Sequence, residues 1–406
     1  MSVINGNYTS ATKVLAGYVW RAFRKLSGES GESESNMSTV LVTGGSGFIG
    51  SHVVDRLIEA GHEPRIYDLR RSPWHPSVPA ILGDLCDLKG LAVAMSGCSA
   101  VIHLAASADV NEVVADPVEA ERRNASGTLR VLEAARHAGV ARVVYASTIW
   151  AYSDTPAEVH EESLPLHPPA HLYTATKLAG ELYCHAYREL YGLDSTILRF
   201  GIPYGPRARA AAVVPTFTAK ALAGEPLTIA GDGSQSRRFV YVEDLAEGVV
   251  LALTSPDANR TYNLVGEEDT SVREIAEAVR DQLGDVEIET GPGRTADFAG
   301  APVSGARAAA ELGWTPTTTF AEGMRRYVEW HRTQQPLTTS APARRSRPLV
   351  GAAIAAILIA SLLSPWPPEL AELRHGHNLV LIVLLLAAVV AVRLSAPIRT
   401  PAWRSE

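Results

Sequence analysis

Val40-Leu41-Val42-Thr43-Gly44-Gly45-Ser46-Gly47-Phe48-Ile49-Gly50 reads as an apolar strand, a glycine-rich turn and the start of a helix that continues through His52-Val53-Val54-Asp55-Arg56-Leu57-Ile58. Strand, tight turn and helix in that order aim a helix N-terminus, with its unpaired N–H groups and positive dipole end, at a pyrophosphate. Gly44 and Gly45 allow the turn, Gly47 lets the backbone approach phosphate, and Gly50 lets helix pack closely on strand. A second apolar strand, Glu63-Pro64-Arg65-Ile66-Tyr67, ends in Asp68, where a carboxylate would bond the adenosine ribose hydroxyls. Arg70 and Arg71 follow at once and suit a 2′-phosphate, so NAD is favoured while NADP stays open.

Further along, Tyr173-Thr174-Ala175-Thr176-Lys177 spaces a phenol and an ammonium four residues apart on one face of a helix, so that Lys177 can approach the Tyr173 phenol and the cofactor ribose together and both residues are expected to bind the cofactor. A free tyrosine has a pKa of about 10, and a neighbouring cation favours the phenolate, which can take a proton from a substrate hydroxyl. This predicts a lowered pKa for Tyr173. Together, the glycine turn and the Tyr/Lys pair are the arrangement that a nicotinamide-dependent oxidoreductase needs.

Strand-like runs Ala100–Ile102, Arg142–Tyr145 and Ser195–Leu198 alternate with helix-like stretches Leu129–His137 and Leu178–Tyr191. That alternation predicts an α/β fold, a Rossmann-type doubly wound parallel sheet covered by helices on both faces. With 406 residues there is room for an NAD domain and a smaller C-terminal substrate-binding region. The expected division is a 1–36 extension, a 37–200 NAD-binding domain, a 201–332 substrate region interleaved with the sheet, a 333–348 linker, a 349–393 hairpin and a 394–406 tail.

With these motifs, the chain resembles the extended short-chain dehydrogenase/reductase family, in its nucleotide-sugar epimerase/dehydratase branch, from about Thr39 to Arg332. The resemblance implies that Asp84 and Leu85 of Gly83-Asp84-Leu85 meet the adenine. Ala105 of His103-Leu104-Ala105-Ala106 lies under the cofactor, and Asn124 opens the Asn-x-x-Gly-Thr segment. It also implies that Phe48 and Ile49 join the cofactor loop. Ala146-Ser147-Thr148 sits where the family carries its catalytic hydroxyl, with Thr148 in that role and Ser147 beside it. In the C-terminal half, Arg237 resembles the family's diphosphate-clamping arginine, Arg294 its second such arginine, and Tyr204 a substrate-side residue. Guanidinium forks suit phosphate oxygens by bidentate geometry.

Two departures bear on function. Ile202 stands where the family carries an asparagine that contacts the substrate phosphate. Ile149 and Trp150 follow Thr148 where dehydratases carry an acid pair and decarboxylating relatives a glutamate. What remains is reversible oxidation at a sugar carbon, expected at C4, giving epimerisation by an NAD-dependent UDP-sugar 4-epimerase. Alternatives are a membrane-bound hydroxysteroid-type or sugar dehydrogenase, and a non-catalytic NAD-sensing scaffold. A homodimer is expected.

Net charge is −7 and no long basic run appears in the catalytic part, which argues against nucleic acid as a partner. Cys86, Cys98 and Cys184 form neither an even disulfide set nor a metal motif, and the histidines offer no ligand cluster, so no metal is expected. Leu349–Leu363 and Leu379–Val392 are nearly all apolar, and each approaches a spanning length of about 20 residues only with its flanks. Arg344, Arg345 and Arg347 before the first run, and Arg393, Arg399 and Arg404 after the second, put both ends of this expected membrane hairpin in the cytoplasm, with the catalytic domain. Before Met37, Leu15, Tyr18, Val19, Ala22, Phe23 and Leu26 share one helical face, which suits either a membrane-surface helix or a plain extension.

Overall fold

The computed structural model describes residues 38–256, 259–292 and 302–334. The expected hairpin over 349–393, the face before Met37 and Arg294 lie outside the described residues. Among the described residues no helix is long and apolar enough to cross a membrane.

The first half alternates as expected. Strand β1 (Thr39–Thr43) leads into helix α1 (Phe48–Glu59), then β2 (Glu63–Asp68), β3 (Ala80–Leu82), α2 (Leu88–Met95) and β4 (Ala100–His103). A short α3 (Val110–Ala115) precedes the long α4 (Pro117–Ala138), followed by β5 (Arg142–Thr148), α5 (Leu172–Tyr191) and β6 (Asp194–Phe200). The bounds of α4 are written in its ends. Asp116 accepts from the Glu119 amide at 3.0 Å, Pro117 occupies the first turn, and Gly139 closes the helix at φ +70°.

The second half holds β7 (Ile202–Tyr204), α6 (Val213–Leu222), β8 (Leu227–Ala230), β9 (Ser236–Tyr241), α7 (Val242–Thr254) and β10 (Thr261–Leu264). It closes with β11 (Asp269–Ser271), α8 (Val272–Leu283), β12 (Ile288–Gly291) and α9 (Phe320–Gln334). β10 does not stay with its neighbours in sequence. It pairs in parallel with β6 and completes a seven-stranded sheet of order β10-β6-β5-β4-β1-β2-β3.

Alternation along the strands sorts the core. Val40 and Val42 face one side, with Val53, Val54 and Leu57 of α1 and Leu245 and Val249 of α7. Leu41 faces the other, with Leu91 of α2 and Val131 and Leu132 of α4. Both faces are therefore buried, which is why these strands read as continuous apolar runs. The strand order reverses between β1 and β4, and the crevice at their carboxyl ends is where such sheets bind ligands. A separate apolar cluster built on Phe217, Ile229, Tyr241, Ile275 and Tyr327 holds the C-terminal region together.

Candidate active site

Three strand ends, Thr43, His103 and Thr148, define the crevice, and the glycine turn leaves the first of them. Gly44 sits at φ +74°, and a Cβ there would come within 2.8 Å of the Ala105 amide nitrogen, so the loops after β1 and β4 meet backbone to backbone. A Cβ on Gly50 would lie 2.1 Å from the Gly44 carbonyl oxygen. At Gly47 the nearest obstacle is that same oxygen at 3.1 Å, with open space around it. Gly47 caps α1 without a side-chain hydrogen bond, and the first turn, including Phe48, Ile49 and Gly50, carries no acidic residue. That is an electropositive cradle shaped for a diphosphate, and NAD fits it.

Asp68 closes β2 beside this turn, accepting from the Ser46 amide at 3.0 Å and the Arg70 amide at 3.3 Å. Arg70 and Arg71 are exposed next to it. At the far end Asp84 takes a forked pair of bonds from Arg122 at 3.2 and 3.0 Å, which hold its carboxyl down at about 2. Leu85 is buried against Gly127. Asn124 spends its amide within the protein: its oxygen accepts from the Ser107 amide at 2.7 Å, and its nitrogen donates to Ser107 O and Thr176 Oγ1. It therefore shapes the loop after β4 next to Ala105.

Lys177 is buried on α5, and its ammonium donates to the Ala146 carbonyl at 2.8 Å, above the Tyr145 ring at 5.2 Å. Burial pulls its pKa down to about 8, against the raising field of Glu181. Tyr173 is half-buried one turn earlier. The expectation of a lowered phenol pKa is corrected here. Desolvation pushes Tyr173 up to about 12, opposed by Arg209, because the Lys177 charge is directed at Ala146 while burial penalises the phenolate.

Ser147 and Thr148 part ways, as neighbours on a strand must. Ser147 donates to Glu181 at 2.5 Å in the interior. Thr148 accepts from the Trp150 amide at 3.2 Å, which leaves its hydroxyl proton to donate to a developing oxyanion. Trp150 packs edge-on against His171, their ring centres 5.5 Å apart, on the segment that leads into Tyr173.

Arg237 lies half-buried on β9, paired in register with Thr270. Its neighbour Arg238 is committed to Gly266, Glu267 and Asp269. Tyr204 is a correction: it is 3 % exposed, its ring lies among Phe239, Tyr241 and Phe320, and a Cβ on Gly323 would touch its hydroxyl, so it is core rather than substrate-facing.

Sequence reasoning missed two polar clusters. One joins Glu181, Arg199, Tyr152 and Asn263, and its only sequence signal is the four-residue step from Lys177 to Glu181. The other ties the two regions of the chain together. Asp55 of α1 accepts from His75 at 2.6 Å and from Arg207 at 2.7 Å, and His52 donates to the Pro206 carbonyl at 2.9 Å. Among the described residues no group of three or more His, Cys, Asp or Glu is arranged to hold a metal ion.

Residues 40–265 match the NAD dependent epimerase/dehydratase family. The chain is 36 % identical over 309 residues to the UDP-glucose 4-epimerase of Mycolicibacterium smegmatis, covering 72 % of this chain and 98 % of that protein. Its fold is similar to the crystal structure of the Thermotoga maritima UDP-glucose 4-epimerase with UDP-glucose, at a TM-score of 0.69 and 31 % identity, covering 73 % of this chain and 99 % of that one. It is likewise similar to the Thermus thermophilus UDP-glucose 4-epimerase in complex with NAD, at a TM-score of 0.67 and 36 % identity over the same shares.

Proposed function

The chain belongs to the NAD dependent epimerase/dehydratase family, and from that premise we propose that it is an NAD-dependent nucleotide-sugar epimerase acting at C4 of a UDP-sugar. When bound, NAD supplies a hydride acceptor that returns the hydride to the opposite face of the same carbon, so no net oxidation results. The chain supplies everything else. Gly44, Gly47 and the first turn of α1 hold the diphosphate of the cofactor, and Asp68 faces its ribose.

Tyr173, as phenolate, takes the proton from the sugar hydroxyl and gives it back after the keto sugar has turned over. Thr148 donates a hydrogen bond to the oxygen as its charge changes, and Lys177 keeps a positive charge beneath the reacting groups. Arg237 is the candidate clamp for the nucleotide diphosphate, and Arg294 the second. Trp150 carries the choice of epimerisation over dehydration, because an indole offers no acid or base to expel water.

The test is to incubate the purified protein with NAD and a panel of UDP-, GDP- and dTDP-sugars and resolve the products. Conversion to an epimer without NADH accumulation supports the reading. Steady NADH release would mark a dehydrogenase instead, and turnover of a sterol alone would remove the role given to Arg237.

Two further assignments belong to this reading. Leu129 of α4 and Leu182, Leu190 and Tyr191 of α5 are large apolar side chains 38 to 71 % exposed, which supports a homodimer through these helices, to be checked by sedimentation. The apolar runs within 349–393, flanked by arginines, support a membrane hairpin that holds the catalytic domain at the cytoplasmic face. Release of the protein from membranes by alkaline carbonate would refute the hairpin.

A further inference from the structure

Behind Tyr173 and Lys177 lies a buried polar cluster that the proton transfer itself does not use. Glu181 stands one helical turn beyond Lys177 on α5, and Arg199 of β6 is the in-register partner of Ser147 on β5. One carboxylate oxygen of Glu181 accepts from Ser147 Oγ at 2.5 Å and Arg199 Nε at 3.0 Å, and the other from Arg199 Nη2 at 2.7 Å. Arg199 also donates to the Tyr152 hydroxyl at 2.8 Å, which in turn donates to Asn263. Glu181, Arg199 and Ser147 are each less than 10 % exposed. A buried ion pair is often no better for stability than apolar side chains of the same size, so folding alone does not account for it.

Its placement does. The end of β5 is gripped at two successive residues by side chains one turn apart on α5: Lys177 holds the Ala146 carbonyl, and Glu181 holds the Ser147 hydroxyl. The next residue is Thr148. The groups facing Lys177 come from three elements: Cys184 and Glu181 from its own helix, Tyr145 from β5 and His103 from β4. Burial keeps His103 neutral by lowering it to about 3, keeps Cys184 neutral by raising it to about 12, and raises the Tyr145 phenol well above its ordinary value. The ionised neighbours that remain are Glu181 and, behind it, Arg199.

Building on the epimerase reading, we propose that Glu181, with Arg199 as its counter-ion, is a positioning residue that keeps the Lys177 ammonium charged beneath the cofactor ribose and sets the rotation of the strand end bearing Thr148. With the carboxylate neutralised, Lys177 faces the bare charge of Arg199 and gives up its proton at lower pH.

The experiment is a titration of the full-length protein with NAD, followed by tryptophan fluorescence between pH 6 and 10. In the unaltered protein affinity falls as Lys177 deprotonates around its pKa of about 8. Glu181→Gln moves that fall down by about one pH unit, so that NAD binds about tenfold more weakly at a given pH above it. Glu181→Asp restores most of the difference. The double variant Glu181→Met/Arg199→Met, which removes both charges, shifts less than Glu181→Gln. An unshifted fall in Glu181→Gln, or equal shifts in the single and double variants, would overturn the proposal. If Glu181→Gln does not fold, the double variant decides; if neither folds, the pair serves the fold and the proposal fails. The readout does not depend on turnover. Failure of every nucleotide sugar would sink the epimerase reading and leave the titration legible, whereas an active epimerase with an unshifted titration would lose only the role of Glu181.

Discussion

The Lys177 ammonium donates to the Ala146 carbonyl at 2.8 Å, in an interior dry enough to bring its pKa from 10.5 to about 8. A lysine depressed on folding costs stability wherever it must stay charged, here below pH 8, and the cost is relieved as pH rises from about 8 to 10.5. The full cost is about 3 kcal/mol, against about 1–2 kcal/mol lost when the carbonyl gives up its donor. Lys177→Met should therefore leave the melting temperature at pH 7 unchanged or higher while turnover falls at least about 100-fold. Calorimetry paired with an epimerase assay checks this, and a large loss of stability would contradict it.

Tyr173 and Lys177 titrate in the unusual order, the phenol at about 12 and the ammonium at about 8. The reactive form needs the first ionised and the second charged. Below pH 8 each added pH unit brings about tenfold more phenolate, and above it the loss of ammonium cancels the gain. The rate constant kcat/KM should therefore climb with pH and level off near 8 instead of peaking at neutrality. A profile across pH 6–10 tests this, and Tyr173→Phe should retain NAD binding and lose orders of magnitude in rate at every pH.

The strand, glycine turn and helix at the head of the sheet were legible because glycine spacing and strand endings are local. Gly44, Gly47, Gly50 and Asp68 act within one strand-turn-helix unit and the strand after it. The hydroxyls at the end of β5 were less so, since Ser147 and Thr148 carry the same chemistry and only the sheet decides which of them turns inward to Glu181. Tyr204 misled for a related reason: its neighbours Phe239 and Phe320 are far away in sequence, and nothing local marks it as core. The Tyr173 pKa went astray because sequence shows a nearby cation but neither the depth of burial nor the carbonyl that the cation prefers.

Gly50→Ala should weaken cofactor binding. Its Cβ would lie 2.1 Å from the Gly44 carbonyl oxygen and 2.8 Å from its carbon, both backbone atoms of the turn, so α1 must back away from the loop it braces. The expected outcome is a destabilisation of about 1–3 kcal/mol, with NAD affinity falling at least tenfold. Urea unfolding and NAD titration check the two parts, and full affinity would mean that the turn does not hold the diphosphate.

Asp68 should set the choice of coenzyme. Its carboxylate is anchored to the Ser46 amide at 3.0 Å and would repel a 2′-phosphate, while Arg70 and Arg71 stand exposed beside it. Asp68→Ser removes the repulsion and leaves the two guanidinium groups. The ratio of NADP to NAD affinity should rise at least about tenfold, the equivalent of one lost unfavourable charge contact. Competition between the two coenzymes measures it, and an unchanged ratio would place the ribose elsewhere.

His52 should make the fold sensitive to acid. Its Nε2 donates to the Pro206 carbonyl at 2.9 Å, and burial lowers its pKa from 6.5 to about 4. His103, bonded to Thr43 and Thr128, is lowered to about 3. In the unfolded chain both take a proton below about pH 6.5 that the folded protein refuses, so stability is full above that pH and falls as pH drops toward 4. For His52 the loss amounts to about 3 kcal/mol when complete. Glutamine keeps a donor for Pro206 and cannot titrate. His52→Gln should therefore cost little at pH 7 and flatten the decline between pH 6.5 and 4 by close to one bound proton, read from urea unfolding across that range. An undiminished slope would show that this imidazole takes up its proton as readily in the native state as in the unfolded chain.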